Sequence, residues 1–166
     1  MALELKDLSP QAIPRALSKA EHYRLLNEPL GAESICLDIL RVDPENQKAI
    51  VTLLLALTDQ FGHAYKMSEV QPRELIARLS DPYERAYYAG IVAERQADAL
   101  LDQGVQNSSF RAHDLLSEAM RYYEEAERIR PAGNDDALLR WNTCARMMNS
   151  KGVNPRTYEP GEEFLE

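Results

Sequence analysis

Glycine is scarce, with seven in 166 residues, and no two are close enough together to form a phosphate-wrapping loop. A P-loop or dinucleotide-binding turn is therefore excluded as far as spacing can exclude it. Histidine is scarcer still. His22, His63 and His113 are scattered, and none forms the H-x-x-x-H or H-E-x-x-H pairing that sets two metal ligands on one helix face. Glu118 follows His113 by five residues and would not share its face, so neither a metal nor a cofactor is expected. The two cysteines, Cys36 and Cys144, stand 108 positions apart in apolar helical stretches and read as thiols packed like small hydrophobes. Nothing beside them would lower a thiol pKa, and no G-x-S-x-G occurs, so no nucleophile is indicated and no enzyme is expected.

A membrane-length apolar run is also missing. The longest, Ala49 to Leu57, is bounded by Lys48 and Asp59 and is about half the length needed to cross a bilayer. The first residues lack the basic start and apolar stretch of a signal peptide, so a cytoplasmic, non-membrane protein is the expectation. Basic charge is in deficit, with 19 Lys and Arg against 27 Asp and Glu and a formal net charge of -8. Without a concentrated basic patch such a chain repels a phosphate backbone, and nucleic acid is not an expected partner. Glu124, Glu125 and Glu127 lie opposite an apolar stripe and read as a solvated face.

What is present is helical periodicity punctuated by proline. Ser9-Pro10 predicts a helix start with a hydroxyl cap, followed by a stripe of Ile13, Ala16, Leu17, Ala20 and Tyr23. Asn27-Glu28-Pro29 breaks it. A second helix from about Leu30 carries Ala32, Ile35, Cys36 and Ile39 and ends at Asp43-Pro44, where the aspartate is expected to cap a third helix running to Phe61-Gly62. Residues 63 to 71 are ambiguous. Pro72 opens a short helix to about Leu79, and Asp81-Pro82 opens a long one to about Asp102. Residues 104 to 109 read as a connector, Phe110 to Ile129 as a second long helix, and Asp135 or Asp136 to Asn149 as the last. No strand alternation occurs. The expected organisation is one helical domain over residues 1–149, with an acidic tail over 150–166 that is disordered or laid loosely on the surface.

Two stretches share a spacing. Ala32, Cys36, Ile39 and Pro44 are separated by four, three and five positions, as are Ala119, Tyr123, Ala126 and Pro131. Ala20 and Tyr23 stand 12 and 9 positions before Ala32, where the first helix of a tetratricopeptide repeat has its small and aromatic residues. Residues 13 to 46 thus resemble a whole 34-residue unit, apart from the bulkier Ile39 where alanine is usual. These segments resemble tetratricopeptide repeats, whose small residues permit close helix approach and whose proline ends the unit. The middle unit fits less well, with Val70 and Glu74 at the small and aromatic positions before Ala77 and Pro82. The third is longer, since Pro82 to Pro131 is 49 positions. Leu138, Trp141, Cys144 and Met148 mark a final helix that resembles a cap.

The resemblance implies an all-α fold of antiparallel helix pairs stacked as a short right-handed superhelix, with a C-terminal capping helix. It also implies a scaffold or adaptor that binds another protein, as a peptide or amphipathic helix, in a concave groove lined by the first helix of each pair. The candidate groove residues are Leu17, Glu21, Arg24, Lys48, Val51, Thr52, Leu55, Ala89, Ala93 and Gln96, with Ala86 beside them. Leu17 and Glu21 replace the basic and amide groups that a carboxylate clamp needs, so an apolar or amphipathic partner is favoured. Tyr87, Tyr88 and Tyr122 form a candidate second surface. The alternative is a ligand-binding or catalytic helical domain with a pocket between the long helices, which a buried polar cluster around Tyr87, Glu94, His113 and Tyr122 would favour. Self-association through an uncapped end is compatible with either.

Overall fold

Proline fixes its own φ and lacks an N–H, so it fits the first turn of a helix, where no intrahelical acceptor is available. Among the described residues four α-helices and one 3-10 turn use it there. In the computed structural model, which describes residues 1–63, 69–104, 107–150 and 153–155, a 3-10 turn (Pro10–Ala12) leads into α1 (Ile13–Leu25). The chain continues through α2 (Pro29–Val42), α3 (Gln47–Thr58), α4 (Pro72–Ala77), α5 (Pro82–Gln103), α6 (Ser108–Ile129) and α7 (Asp136–Asn149). Among the described residues there is no strand, and no helix is long and apolar enough to cross a membrane.

Two expected caps differ. The Ser9 side chain makes no capping hydrogen bond; its carbonyl closes the 3-10 turn by accepting from Ala12 N at 2.9 Å. Asp43 does not cap α3. Pro44 sits in a turn closed by Asn46 N to Asp43 O, and the helix begins three residues later, with Asn46 Oδ1 accepting from Ala49 N at 2.9 Å. Asp43 instead steadies the cap, its Oδ2 accepting from Asn46 Nδ2 at 3.1 Å. Asp81 does cap α5, accepting from Tyr83 N at 3.0 Å. The third helix ends at Thr58, and Gly62 (φ +82°) lies in the turn that follows. The second long helix starts at Ser108, two residues before Phe110. Of the ambiguous stretch, residues 64–68 lie outside the described residues.

Each helix packs on its chain neighbours, and α3 also touches α5 as α1 touches α3. The most extensive contact is between α5 and α6, each 22 residues long. Apolar burial divides between two clusters. One gathers Ala20, Ala32, Cys36, Ile39, Ile50, Leu53, Leu54 and Leu75 from α1 to α4. The other gathers Ala97, Ala112, Leu116, Ala119, Tyr123, Ala126, Ala137 and Cys144 from α5 to α7. Leu55 of α3 packs against the second cluster and Tyr88 of α5 against both, so the seam between them is bridged by apolar contact. Val153, in the expected loose tail, is buried against the second cluster, and Asn154 N donates to Ser109 Oγ at 2.9 Å. An apolar side chain just past α7 can still reach the core, which the tail's polar composition hid. The rest of the tail, 156–166, lies outside the described residues.

Candidate functional site

The length mismatch between α4 and its neighbours creates an opening. α4 has six residues and spans about 9 Å, whereas α5 and α6 each span about 33 Å. α4 therefore covers only the start of α5. The result is a groove of about 670 Å³ with α5 as its floor and α4 and α6 as its walls. Ala86, Ala89, Val92 and Ala93 form the floor, Pro72 and Ile76 the α4 wall, and Glu118, Tyr122 and Glu125 the α6 wall. A smaller cavity of about 260 Å³, lined by Phe61, Leu100 and Leu115, adjoins it at Gln96.

Of the residues singled out from sequence, the groove brings together Ala86, Ala89, Ala93, Gln96 and Tyr122. The others go elsewhere. Leu17 and Val51 are half-buried against the first core cluster, and Leu55 against the second. Thr52 is buried, its Oγ1 donating to Lys48 O at 2.8 Å, while Glu21 and Lys48 are exposed outside the groove. Tyr87 and Tyr88 do not join Tyr122. Tyr87 stacks on Tyr83 at 5.8 Å, meets Tyr88 edge-on at 5.2 Å and tilts against Tyr123 at 6.0 Å.

Arg24 lines a separate polar cleft of about 490 Å³. Here Asp59 holds two guanidinium groups: Arg24 Nε at 2.7 Å on one oxygen, and Arg24 Nη2 at 3.2 Å and Arg95 Nη1 at 2.5 Å on the other. Arg140, Asp98 and Asp102 also line it, with Asn27, Thr58 and His63. Burial, then the charges of Glu94 and Asp102, push the Asp98 carboxyl above its ordinary range.

Behind Arg140 lies a buried polar network. Glu94 is 3% exposed; its Oε2 accepts from the Tyr123 hydroxyl at 2.5 Å and its Oε1 from Arg140 Nη1 at 3.1 Å. The Tyr87 ring tilts against Tyr123 and its phenol lies near Arg140, and the Cys144 thiol lies near Glu94. Burial and then the adjacent carboxylate push the Tyr123 phenol well up, and the Cys144 thiol up to about 12. The hydroxyl and thiol stay protonated as donors, and both Glu94 oxygens are occupied. Sequence reading places Tyr87 and Glu94 in such a cluster; His113 and Tyr122 are not in it, and Tyr123, Arg140 and Cys144 stand in their place. The available signal was a carboxylate on the apolar stripe of α5, between Ile91 and Ala97.

A second buried carboxylate, Glu33, is fully enclosed in α2. Its Oε2 accepts from Gln60 Nε2 at 2.7 Å, while Oε1 has no hydrogen-bond partner among the described residues. Among the described residues no group of three or more His, Cys, Asp or Glu is placed to hold a metal ion. Compared with family models, with curated proteins and with solved structures, the chain finds no match.

Proposed function

We propose that this chain is a cytoplasmic tetratricopeptide-like module that binds a segment of another protein and catalyses nothing itself. The observation that carries this reading is the groove: an open trough of about 670 Å³ with an apolar floor and polar groups on its walls, set in a helical frame. Pockets of about 300–1,000 Å³ with an apolar floor and a few polar groups at the edge are the usual form of a recognition site. Two further features support it. Both repeat-like triads, Ala32-Cys36-Ile39 and Ala119-Tyr123-Ala126, are completely buried, as residues that set helix approach must be. Contacts between alternate helices α1, α3 and α5 are those that stacked pairs make, with α7 covering α6 as a cap. The groove opens over α5, the first helix of the third pair, between α4 and α6, the second helices of successive pairs.

The second reading, a ligand site, is favoured by the buried Glu94 network and the cleft that Arg140 shares with Arg24 and Arg95. One experiment separates the two. Wild type and Ala89→Glu, which sets a charge on the half-buried groove floor, are compared by crosslinking capture from the native host, with circular dichroism verifying the fold. A partner held by wild type and lost in the folded variant supports docking in the groove. Equal capture by both proteins sinks it. Capture by neither, with thermal stabilisation by small ionic compounds that Arg95→Ala abolishes, moves the function to the cleft.

A further inference from the structure

Resting on the docking reading above, we infer that the groove takes a basic amphipathic helix: its apolar face lies on α5 and its lysines or arginines meet the carboxylates of α6. The backbone chemistry selects a helix. The lining residues of α5 and α6 lie inside their helices, so their N–H and C=O groups are already bonded there, and no strand edge is open for an extended peptide to pair with. An occupant gains affinity through side-chain burial alone, and the furrow between two helices over a third suits the ridge of another helix. Alanines at the floor let that ridge approach closely.

Charge then selects the sign. Glu118 and Glu125 are one helical row on the α6 wall, two turns apart with Tyr122 between them, and neither has an ion-pair partner among the described residues. The basic group that α5 brings to the groove, Arg85, is engaged by the α4–α5 turn: its Nη1 donates to Leu79 O at 2.8 Å and Ser80 O at 3.1 Å. On the α4 wall Arg73 stands beside Glu74, so charge there is balanced. The unbalanced negative charge is confined to one side, which gives the partner an orientation as well as a sign. Outside the groove, Asp59 and Glu94 each hold arginine. Opposite charge at such a rim steers association and rejects acidic competitors.

The test is selection from a displayed library of random peptides against the full chain, followed by affinity measurement on the enriched peptides. Expected is enrichment of sequences with apolar residues at helical spacing and Lys or Arg along one edge. Glu118→Lys/Glu125→Lys should weaken those peptides roughly 10-fold and restore binding to versions with Glu in place of their basic residues. Acidic or charge-indifferent binders that still depend on the groove, tested with Ala89→Glu, would overturn the partner class and leave the docking reading standing. Binders indifferent to Ala89→Glu, or no binders at all, would overturn both.

Discussion

Cys36 and Cys144 are each fully buried, one in each core cluster. Burial, the largest cause for both, pushes each thiol from an ordinary 9.0 up to about 12. In the unfolded chain a thiol ionises near its ordinary value, and in the folded chain it does not until about pH 12. Between those values the native state holds a proton that the unfolded state has lost, so stability falls as pH rises, by about 1.4 kcal/mol per pH unit for each thiol. Below pH 9 the contribution is fully present. Urea unfolding at pH 8, 9.5 and 10.5 should show this decline, and Cys36→Ala/Cys144→Ala should flatten it whatever its effect on absolute stability. An equally steep slope in the double variant would assign the decline to other groups, of which Tyr88 and Tyr123, both raised mainly by burial, act with the same sign above pH 10. Gly90 is the other position where one side chain decides the packing. A Cβ there would lie 2.5 Å from Tyr123 Cε1, so the closest approach of α5 to α6 depends on glycine.

Among the helices, α3 and α4 shape the molecule most. α3 has eight apolar residues among its twelve and carries eight buried ones, so it runs through the middle of the fold. Its start is determined by Asn46, not by the Asp43-Pro44 pair. Asn46→Ala removes the acceptor from Ala49 N and should cost about 1 kcal/mol in denaturant unfolding. Asp43→Ala loses only a bond to the capping side chain and should cost about half as much or less. If the two losses were reversed, the cap assignment would fail. α4 acts through its brevity. Having only six residues, it leaves most of α5 uncovered, which forms the groove.

Across the whole molecule, two core clusters are joined by Leu55, Tyr88 and the Arg24–Asp59–Arg95 clasp, which ties α1, α3 and α5 together. The three side chains are about one-fifth to one-third exposed, so water screens the pair in part. Asp59→Ala leaves two arginines facing each other without their shared carboxylate, and about 1–2 kcal/mol of stability should be lost. The loss should also loosen the coupling between halves. Trp141 sits in the α5–α7 half, half-buried, with Nε1 donating to Glu124 at 3.0 Å, and so reports on that half alone. In wild type, unfolding followed by Trp141 fluorescence and by far-ultraviolet circular dichroism should coincide; in Asp59→Ala the two midpoints should separate. Coincident midpoints at unchanged stability would mean the clasp does not join the halves.

The chain alone determined that it forms helices and, within a few residues, where they stop. Proline positions, apolar spacing and the buried triads around Cys36 and Tyr123 are local signals, because helix geometry couples residues three and four apart. Only the tertiary structure decided which faces meet. Glu94 finds Tyr123 29 positions away and Arg140 46 away, and Asp59 finds Arg24 and Arg95 35 and 36 away. No local pattern encodes those distances, since they follow from how all the helices pack at once. For the same reason the groove collected Ala89, Ala93, Gln96 and Tyr122 but not Leu17 or Leu55: a side chain on an apolar face lies open only where no neighbouring helix is long enough to cover it.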